Sequence, residues 1–266
     1  MYTAFQLAQK YIAWYWQALN SKGHGVHSPF VFDFIKFVKN DRKNYPCYDE
    51  IEMLRRELLH RNDEIDVQDF GAGSTVIKTN RRVVSKMAAS SLKPRRFAQL
   101  LFRIVHHYQP AHIIELGTSF GITTAYLASG NASRPQVHTL EGSPAIANIA
   151  KENFQKLGIT NIRLTEGDFN QTLDEVLKYI PTIDLAFIDG NHKQAPTLQY
   201  FHQLMEHTTA ESILIFDDIH WSEEMEAAWE IIRNDERVTL TIDLFFIGIV
   251  FLKKDFKVKQ HFKLRF

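Results

Sequence analysis

Apolar residues recur along this chain at two different spacings, and the change from one to the other divides it. From Ala4 to Leu19, the residues Phe5, Leu7, Ala8, Tyr11, Ile12, Trp14, Tyr15 and Ala18 fall mostly at helical intervals. They predict a helix with a broad aromatic face, stopped by Asn20-Ser21-Lys22-Gly23. A loop from Gly23 to Pro29, containing His24 and His27, leads into Phe30 to Val38, and Ile51 to His60 is helical again. Residues 1–62 are therefore expected to form an N-terminal helical extension. Residues 63–84, which include Asp69-Phe70-Gly71-Ala72-Gly73-Ser74, keep no period and read as a loop or lid.

From residue 85 onward the pattern is regular. A helix from Phe97 to His107 precedes strand His112 to Leu116 and helix Ile122 to Ser129. Strand Gln136 to Leu140, helix Ser143 to Leu157, strand Ile162 to Glu166 and helix Gln171 to Tyr179 follow. Strand Asp184 to Ile188, helix Gln194 to Glu206, strand Ser212 to Phe216 and helix Ser222 to Arg233 complete the alternation. Alternation at this pitch makes βαβ units on a parallel sheet. Val238 to Asp243 and Gly248 to Lys253 have no helix between them and are expected to pair antiparallel. The expected fold over residues 85–266 is α/β, a doubly wound seven-stranded sheet with a terminal antiparallel strand pair.

Composition narrows the function classes. Lys+Arg and Asp+Glu balance at 31 each in 266 residues, so no global field attracts a polyanion or an anionic membrane. Nucleic-acid contact would need a local patch, for which the basic runs Arg81 to Arg96 and Lys253 to Arg265 are the candidates. Cys47 is the only cysteine, which excludes an internal disulfide and fits a reducing, cytoplasmic setting. The first nineteen residues lack a secretion-signal pattern. No stretch reaches the ~20 apolar residues of a membrane span, so the protein is expected to be soluble.

The candidate chemistry sits at strand ends. Glu115-Leu116-Gly117-Thr118-Ser119-Phe120-Gly121 closes the first of the alternating strands with small residues that let backbone pass close to a ligand before a helix begins. Glu141 ends the next strand, where a carboxylate can accept both hydroxyls of a ribose, with Gly142 beside it. A glycine turn alone is also what a tight strand-to-helix connection needs; the acidic strand end beside it favours a ligand. The Gly-x-x-x-Gly spacing departs from the pattern that brings a helix N-terminus onto a pyrophosphate, and so favours a ligand without phosphates.

Further along, Asp189-Gly190-Asn191-His192 and Asp217-Asp218-Ile219-His220 end two neighbouring strands. Carboxylates gathered there suit Mg²⁺, Mn²⁺ or Ca²⁺. The alternative for Asp217-Asp218 is a helix N-cap, which accounts for one acid and not three. His192, with an ordinary pKa near ~6.5, can accept a proton from an activated hydroxyl; Asn191 can only ligate or orient. His220 is a reserve ligand. Trp14, Trp16 and Trp221 are candidates for lining a substrate pocket.

Over residues 85–266 the chain resembles the class I S-adenosylmethionine-dependent methyltransferases, and within them the metal-dependent catechol-type and sugar O-methyltransferases. Residues Glu115 to Gly121 are similar to their first motif, which faces the amino-acid end of S-adenosyl-L-methionine. Glu141 matches their ribose-binding acid, and Gly167-Asp168-Phe169 the motif that contacts adenine. The resemblance implies a Rossmann-like fold, with Glu115, Gly117, Thr118, Ser119, Gly121, Glu141, Gly142, Asp168, Phe169 and Asp189 around the cofactor. It also implies a metal on Asp189, Asp217 and Asp218, a small-molecule acceptor and a homodimer; His192 and Asn191, read from their own chemistry, are the catalytic candidates. Asn191 and His192 depart from the Asp or Lys that often acts as base in those families. A tRNA nucleoside methyltransferase and a cofactor-binding module without catalysis stay open as alternatives.

Overall fold

A capping box starts the first helix: the Thr3 hydroxyl accepts the Gln6 amide at 3.3 Å, and the Gln6 side chain accepts the Thr3 amide at 2.9 Å. The computed structural model describes residues 1–19, 27–67 and 81–266. The predicted features at His24 and at Asp69 to Ser74 lie outside the described residues.

Along the chain run α1 (Ala4–Gln17), α2 (Pro29–Asp33), one π-helical turn (Phe34–Lys39) and α3 (Pro46–His60). Short strands β1 (Glu64–Asp66) and β2 (Arg81–Val83) come next, then α4 (Val84–Ser91) and α5 (Arg95–Tyr108). Strands and helices then alternate through β3 (His112–Leu116), α6 (Ile122–Ser129), β4 (Gln136–Glu141), α7 (Pro144–Lys156), β5 (Ile162–Glu166) and α8 (Phe169–Leu177). The alternation continues with β6 (Ile183–Ile188), α9 (Gln194–Met205), β7 (Thr208–Asp217) and α10 (Glu223–Asn234). Strands β8 (Leu240–Asp243), β9 (Ile247–Phe251) and β10 (Gln260–Lys263) close the series.

These elements fall into two compact units, one continuous (Asp41–Tyr179) and one built from Met1–Asn40 with Ile180–Phe266. In the continuous unit β3, β4 and β5 are parallel in that order, and β1 pairs antiparallel with β2. Its core joins Tyr48, Ile51, Leu54 and Leu58 of α3 to Phe102 of α5 and to Ile122, Ala125 and Tyr126 of α6. Fully burying side chains of this size contributes roughly 1.5–3 kcal/mol each, which is why the helical stretch at Ile51 to His60 is held by packing rather than by propensity. Helix α5 ends where Gln109 turns left-handed at φ +53°.

In the second unit β6 and β7 are parallel, β9 lies antiparallel between β7 and β8, and β10 is parallel to β8. The expected terminal antiparallel pair is β8–β9. An eighth strand, β10, extends the predicted seven: three of the eight belong to one unit and five to the other. Helix α1 packs Trp14 and Ala18 against Phe245, with Leu7, Tyr11 and Phe246 around them.

Candidate active site

The turn after β3 needs backbone that ordinary residues avoid. Gly117, Ser119 and Gly121 have φ of +103°, +49° and +79°. At Gly121 a Cβ would also lie 2.4 Å from Cε1 of Phe154, so only glycine lets α6 start this close to α7. The amides of Gly117 and Thr118 both donate to the Leu140 carbonyl, at 3.0 and 3.1 Å, which ties the turn to the end of β4.

Glu141 is the centre of this half. Its Oε2 accepts the Ser119 amide at 2.9 Å and its Oε1 the Ser143 amide at 3.0 Å. A carboxylate offers about four acceptor directions, so these two bonds aim the group without exhausting it. The Gly167 amide donates to the Glu141 carbonyl at 2.9 Å, drawing the end of β5 alongside, and Gly142 sits half-buried next to it. Asp168 caps α8 by accepting the Asn170 amide at 3.0 Å, and Phe169, half-buried, is the first residue of that helix.

Glu115 acts from inside. It is fully buried, and its Oε2 accepts the hydroxyls of Thr124 at 2.5 Å and Thr139 at 2.7 Å. Thr139 in turn shares a 2.6 Å bond with Thr118. This carboxylate therefore braces α6 and β4 beneath the turn.

In the other unit, the ends of β6 and β7 bring Asp189, His192 and Asp217 together, each offering a ligand atom within 4.8 Å of the others. Ligands at ~2.1–2.5 Å from a shared ion lie ~3–5 Å apart, so the donor set fits a divalent cation. Asp217 is buried and Asp189 and His192 are half-buried. Asp218, predicted as the third ligand, is not in this group; His192 takes its place. The reason is backbone: Asn191, His192 and Asp218 are all left-handed, at φ +66°, +29° and +53°, and such strain is tolerated where surrounding structure fixes it. The Asn191 amide donates to the buried Tyr200 hydroxyl at 3.0 Å, which holds the strained pair down.

The electrostatics of His192 follow from these neighbours. Burial alone would lower its pKa, but Asp189, 3.5 Å from Nε2, with Asp217 and Asp218 behind it, outweighs that and lifts the value to about 9. Without a cation the imidazole is protonated at neutral pH and has no lone pair with which to take a proton.

The remaining predicted residues are accounted for locally. Trp14 is buried and its indole N–H donates to Asp243, so it belongs to the docking of α1 rather than to a substrate pocket. Trp16 is exposed and Trp221 half-buried. His220, the reserve ligand, is outside the Asp189, His192 and Asp217 group: its two nitrogens face Glu226 and Asp243. Among the basic runs, Arg81 faces Asp66, Lys253 pairs with Glu211, and Lys259 donates to the carbonyls of Asn234 and Asp235. Lys263 donates to Gln17, and the Arg265 guanidinium lies 4.0 Å over the Tyr15 ring. These cations have protein partners, which weakens the case for a phosphate-binding track. Among the described residues no helix is long and apolar enough to cross a membrane.

Residues 114–219 match a family model described as "Methyltransferase domain", a span that takes in both groups of site residues. A catechol O-methyltransferase from Niastella koreensis is 25% identical over 158 residues, covering 58% of this chain and 69% of that protein. Among solved structures, an O-methyltransferase from Bacillus cereus in complex with SAH has a TM-score of 0.55 at 19% identity, covering 81% of this chain and 95% of the other. An SAH-bound methyltransferase from Podospora anserina reaches 0.60 at 16% identity, covering 85% and 97%. At these identities the solved structures establish the fold.

Proposed function

We propose that this chain, whose residues 114–219 match a methyltransferase domain, is a class I S-adenosylmethionine-dependent methyltransferase that methylates an oxygen of a small acceptor at a site served by a divalent cation. The observation that carries the reading is the Asp189, His192 and Asp217 cluster in a chain whose Glu141 carboxylate is aimed by two backbone amides. We take residues 85–266 as the catalytic domain; the expected 1–62 extension is divided between the two units, and strands β1 and β2 occupy the described ends of the expected 63–84 loop.

S-adenosylmethionine supplies the methyl group on its sulfonium. Glu141 would accept the ribose hydroxyls, the Gly117 to Gly121 turn would let backbone approach the amino-acid end, and Asp168 and Phe169 would serve the adenine. Glu115 serves the cofactor at one remove, by keeping the turn in place. Holding the acceptor oxygen in line with the methyl group removes an entropic cost of up to ~7–11 kcal/mol.

Asp189 and Asp217 would hold the cation through carboxylate oxygens and His192 through a neutral imidazole, the form in which histidine ligates. Asn191 holds that segment through Tyr200 and need not touch substrate. A divalent cation held there lowers the pKa of a hydroxyl bound to it. Two carboxylates with one imidazole favour Mn²⁺ over Ca²⁺, since imidazole is the softer donor. Neighbouring hydroxyls, as in a catechol, are the acceptors that one cation can bind through both oxygens. The homodimer and the cytoplasmic setting belong to the same proposal, and analytical ultracentrifugation tests the first.

The test is turnover of S-adenosylmethionine with a catechol and with a sugar diol, in Mg²⁺, Mn²⁺ or EDTA, for wild type, Asp189→Asn and Asp217→Asn. Methyl transfer that needs the cation and both aspartates is expected. Turnover indifferent to EDTA and to both substitutions would remove the metal from the reading. Failure of the wild type to bind S-adenosylhomocysteine would remove the cofactor site.

A further inference from the structure

Helix α1 does more than bury an aromatic face. The Tyr2 amide donates to the carbonyl of Trp221 at 3.1 Å, in the loop between β7 and α10. The Tyr2 hydroxyl and the Lys10 ammonium both donate to Oε2 of Glu226, at 2.7 and 2.8 Å. Oε1 of Glu226 lies 3.1 Å from Nδ1 of His220, and Nε2 of His220 lies 3.0 Å from Oδ2 of Asp243. The other oxygen of Asp243 accepts the Trp14 indole N–H at 2.9 Å and the Phe245 amide at 2.8 Å. The His220 ring also stacks on Phe245 at 5.1 Å.

This is costly architecture for docking a helix. Trp14, Tyr11 and Leu7 could bury themselves on Phe245 and Phe246 with no ions nearby, whereas Asp243 and His220 are largely withdrawn from water and must be repaid by hydrogen bonds. What the network adds is position. It fixes the imidazole of His220 from both sides, and His220 lies in the turn where Asp218 is left-handed and the Trp221 amide closes back on the Asp218 carbonyl at 2.9 Å.

We propose that residues 1–17 form a strap, and that Trp14, Glu226, His220 and Asp243 are positioning residues that hold the 218–221 turn and, through it, the buried carboxylate of Asp217. The consequence for cation binding rests on the metal reading above; the ordering of the turn does not. Residues that orient the ligands of a metal affect its affinity by ~10–100-fold, and a turn held by side-chain bonds opens when they are removed.

The experiment uses the full chain with Trp14→Phe, which keeps the ring and removes only the N–H, with Glu226→Gln, and with His220→Ala. Amide hydrogen exchange is followed in peptides covering 217–222 and, as an internal control, 115–141; Mn²⁺ and S-adenosylhomocysteine are titrated calorimetrically. Exchange at 217–222 is expected to rise ~10-fold in each variant, with 115–141 unchanged. Mn²⁺ should weaken ~10-fold or more and S-adenosylhomocysteine should bind as in wild type. Unaltered exchange at 217–222 in Trp14→Phe and Glu226→Gln overturns the strap, even if both variants melt earlier. If wild type takes up no Mn²⁺, the metal reading fails alone, and exchange still decides this one.

Discussion

Replacing Glu141 separates two jobs that one carboxylate performs. In the unliganded protein it accepts the Ser119 amide at 2.9 Å and the Ser143 amide at 3.0 Å. Bonds to a charged acceptor are worth ~1.5–3 kcal/mol each. Glu141→Ala strands both amides: the one at Ser119 is half-exposed and can turn to water, whereas the one at Ser143 is in a buried residue. The expected loss of stability is therefore about 2–4 kcal/mol, nearer one full bond than two. In the liganded protein the same group would accept two ribose hydroxyls, a further ~3–6 kcal/mol. At 1.4 kcal/mol per decade this weakens S-adenosylhomocysteine by ~10²–10⁴-fold. Glu141→Gln keeps one acceptor oxygen but turns an amino group toward an N–H donor, so it should fall between alanine and wild type in both respects. Urea unfolding reads the first quantity and calorimetric titration the second. Affinity for S-adenosylhomocysteine within threefold of wild type in Glu141→Ala would refute the ribose role, and an unchanged unfolding midpoint would refute the amide bonds.

Other consequences follow from the same geometry. Gly121→Ala places a methyl group 2.4 Å from Phe154 Cε1 at φ +79°; left-handed strain and overpacking together should cost about 2–5 kcal/mol. Adding Phe154→Leu should recover the packing part but not the strain, as read from urea midpoints. Glu226 is held below the ordinary carboxylate range: burial alone would raise it, but bonds from Lys10, Tyr2 and His220 outweigh burial. A depressed folded-state pKa gives stability that is present above pH ~4.5 and lost as pH falls through the lower value. Glu226→Gln should therefore flatten the acid limb of the melting-temperature profile, and an unchanged limb would show that the contacts do not protect the carboxylate. Tyr200→Phe removes the acceptor of the Asn191 amide; a loss of ~1 kcal/mol with weaker Mn²⁺ binding is expected, and Mn²⁺ binding equal to wild type would free Asn191 of any positioning role.

The alternating core was legible because apolar runs there are bounded by glycine, proline and acids. Strand β5 and helix α6 begin and end where spacing places them, at Ile162 and Glu166 and at Ile122 and Ser129. Strand β10 escaped because Gln260-His261-Phe262-Lys263 is an edge strand with little to bury, and its apolar content falls below what a period can reveal. Helix α4 is only two turns long and gave no sustained pattern. At the site, Glu141 was legible as an acid at a strand end, but the two amides that aim its carboxylate were not. The work of Glu115 could not, since its partners Thr124 and Thr139 lie on other elements. His192 was visible as a group with acid–base chemistry, but whether it or Asp218 joined Asp189 and Asp217 depended on three left-handed residues that no spacing rule anticipates. The Tyr200 tether is the clearest omission: a tyrosine at helical spacing reads as core, and only its hydroxyl's partner says otherwise.

The two segments that build the second unit meet late in synthesis. Residue Leu19 exchanges backbone bonds with Lys263 and Arg265, and Trp14 and Lys10 find their partners at Asp243 and Glu226. The intervening Asp41–Tyr179 unit is continuous in sequence. At ~5–20 residues per second, a ribosome needs roughly 10–45 s after making α1 before its docking surface exists. During that interval the helix carries Trp14, Tyr11 and Leu7 with nothing to cover them, so a growing chain is expected to rely on the ribosome surface or a chaperone there, and shortening the segment after Asp243 would leave the completed protein with the same sticky end.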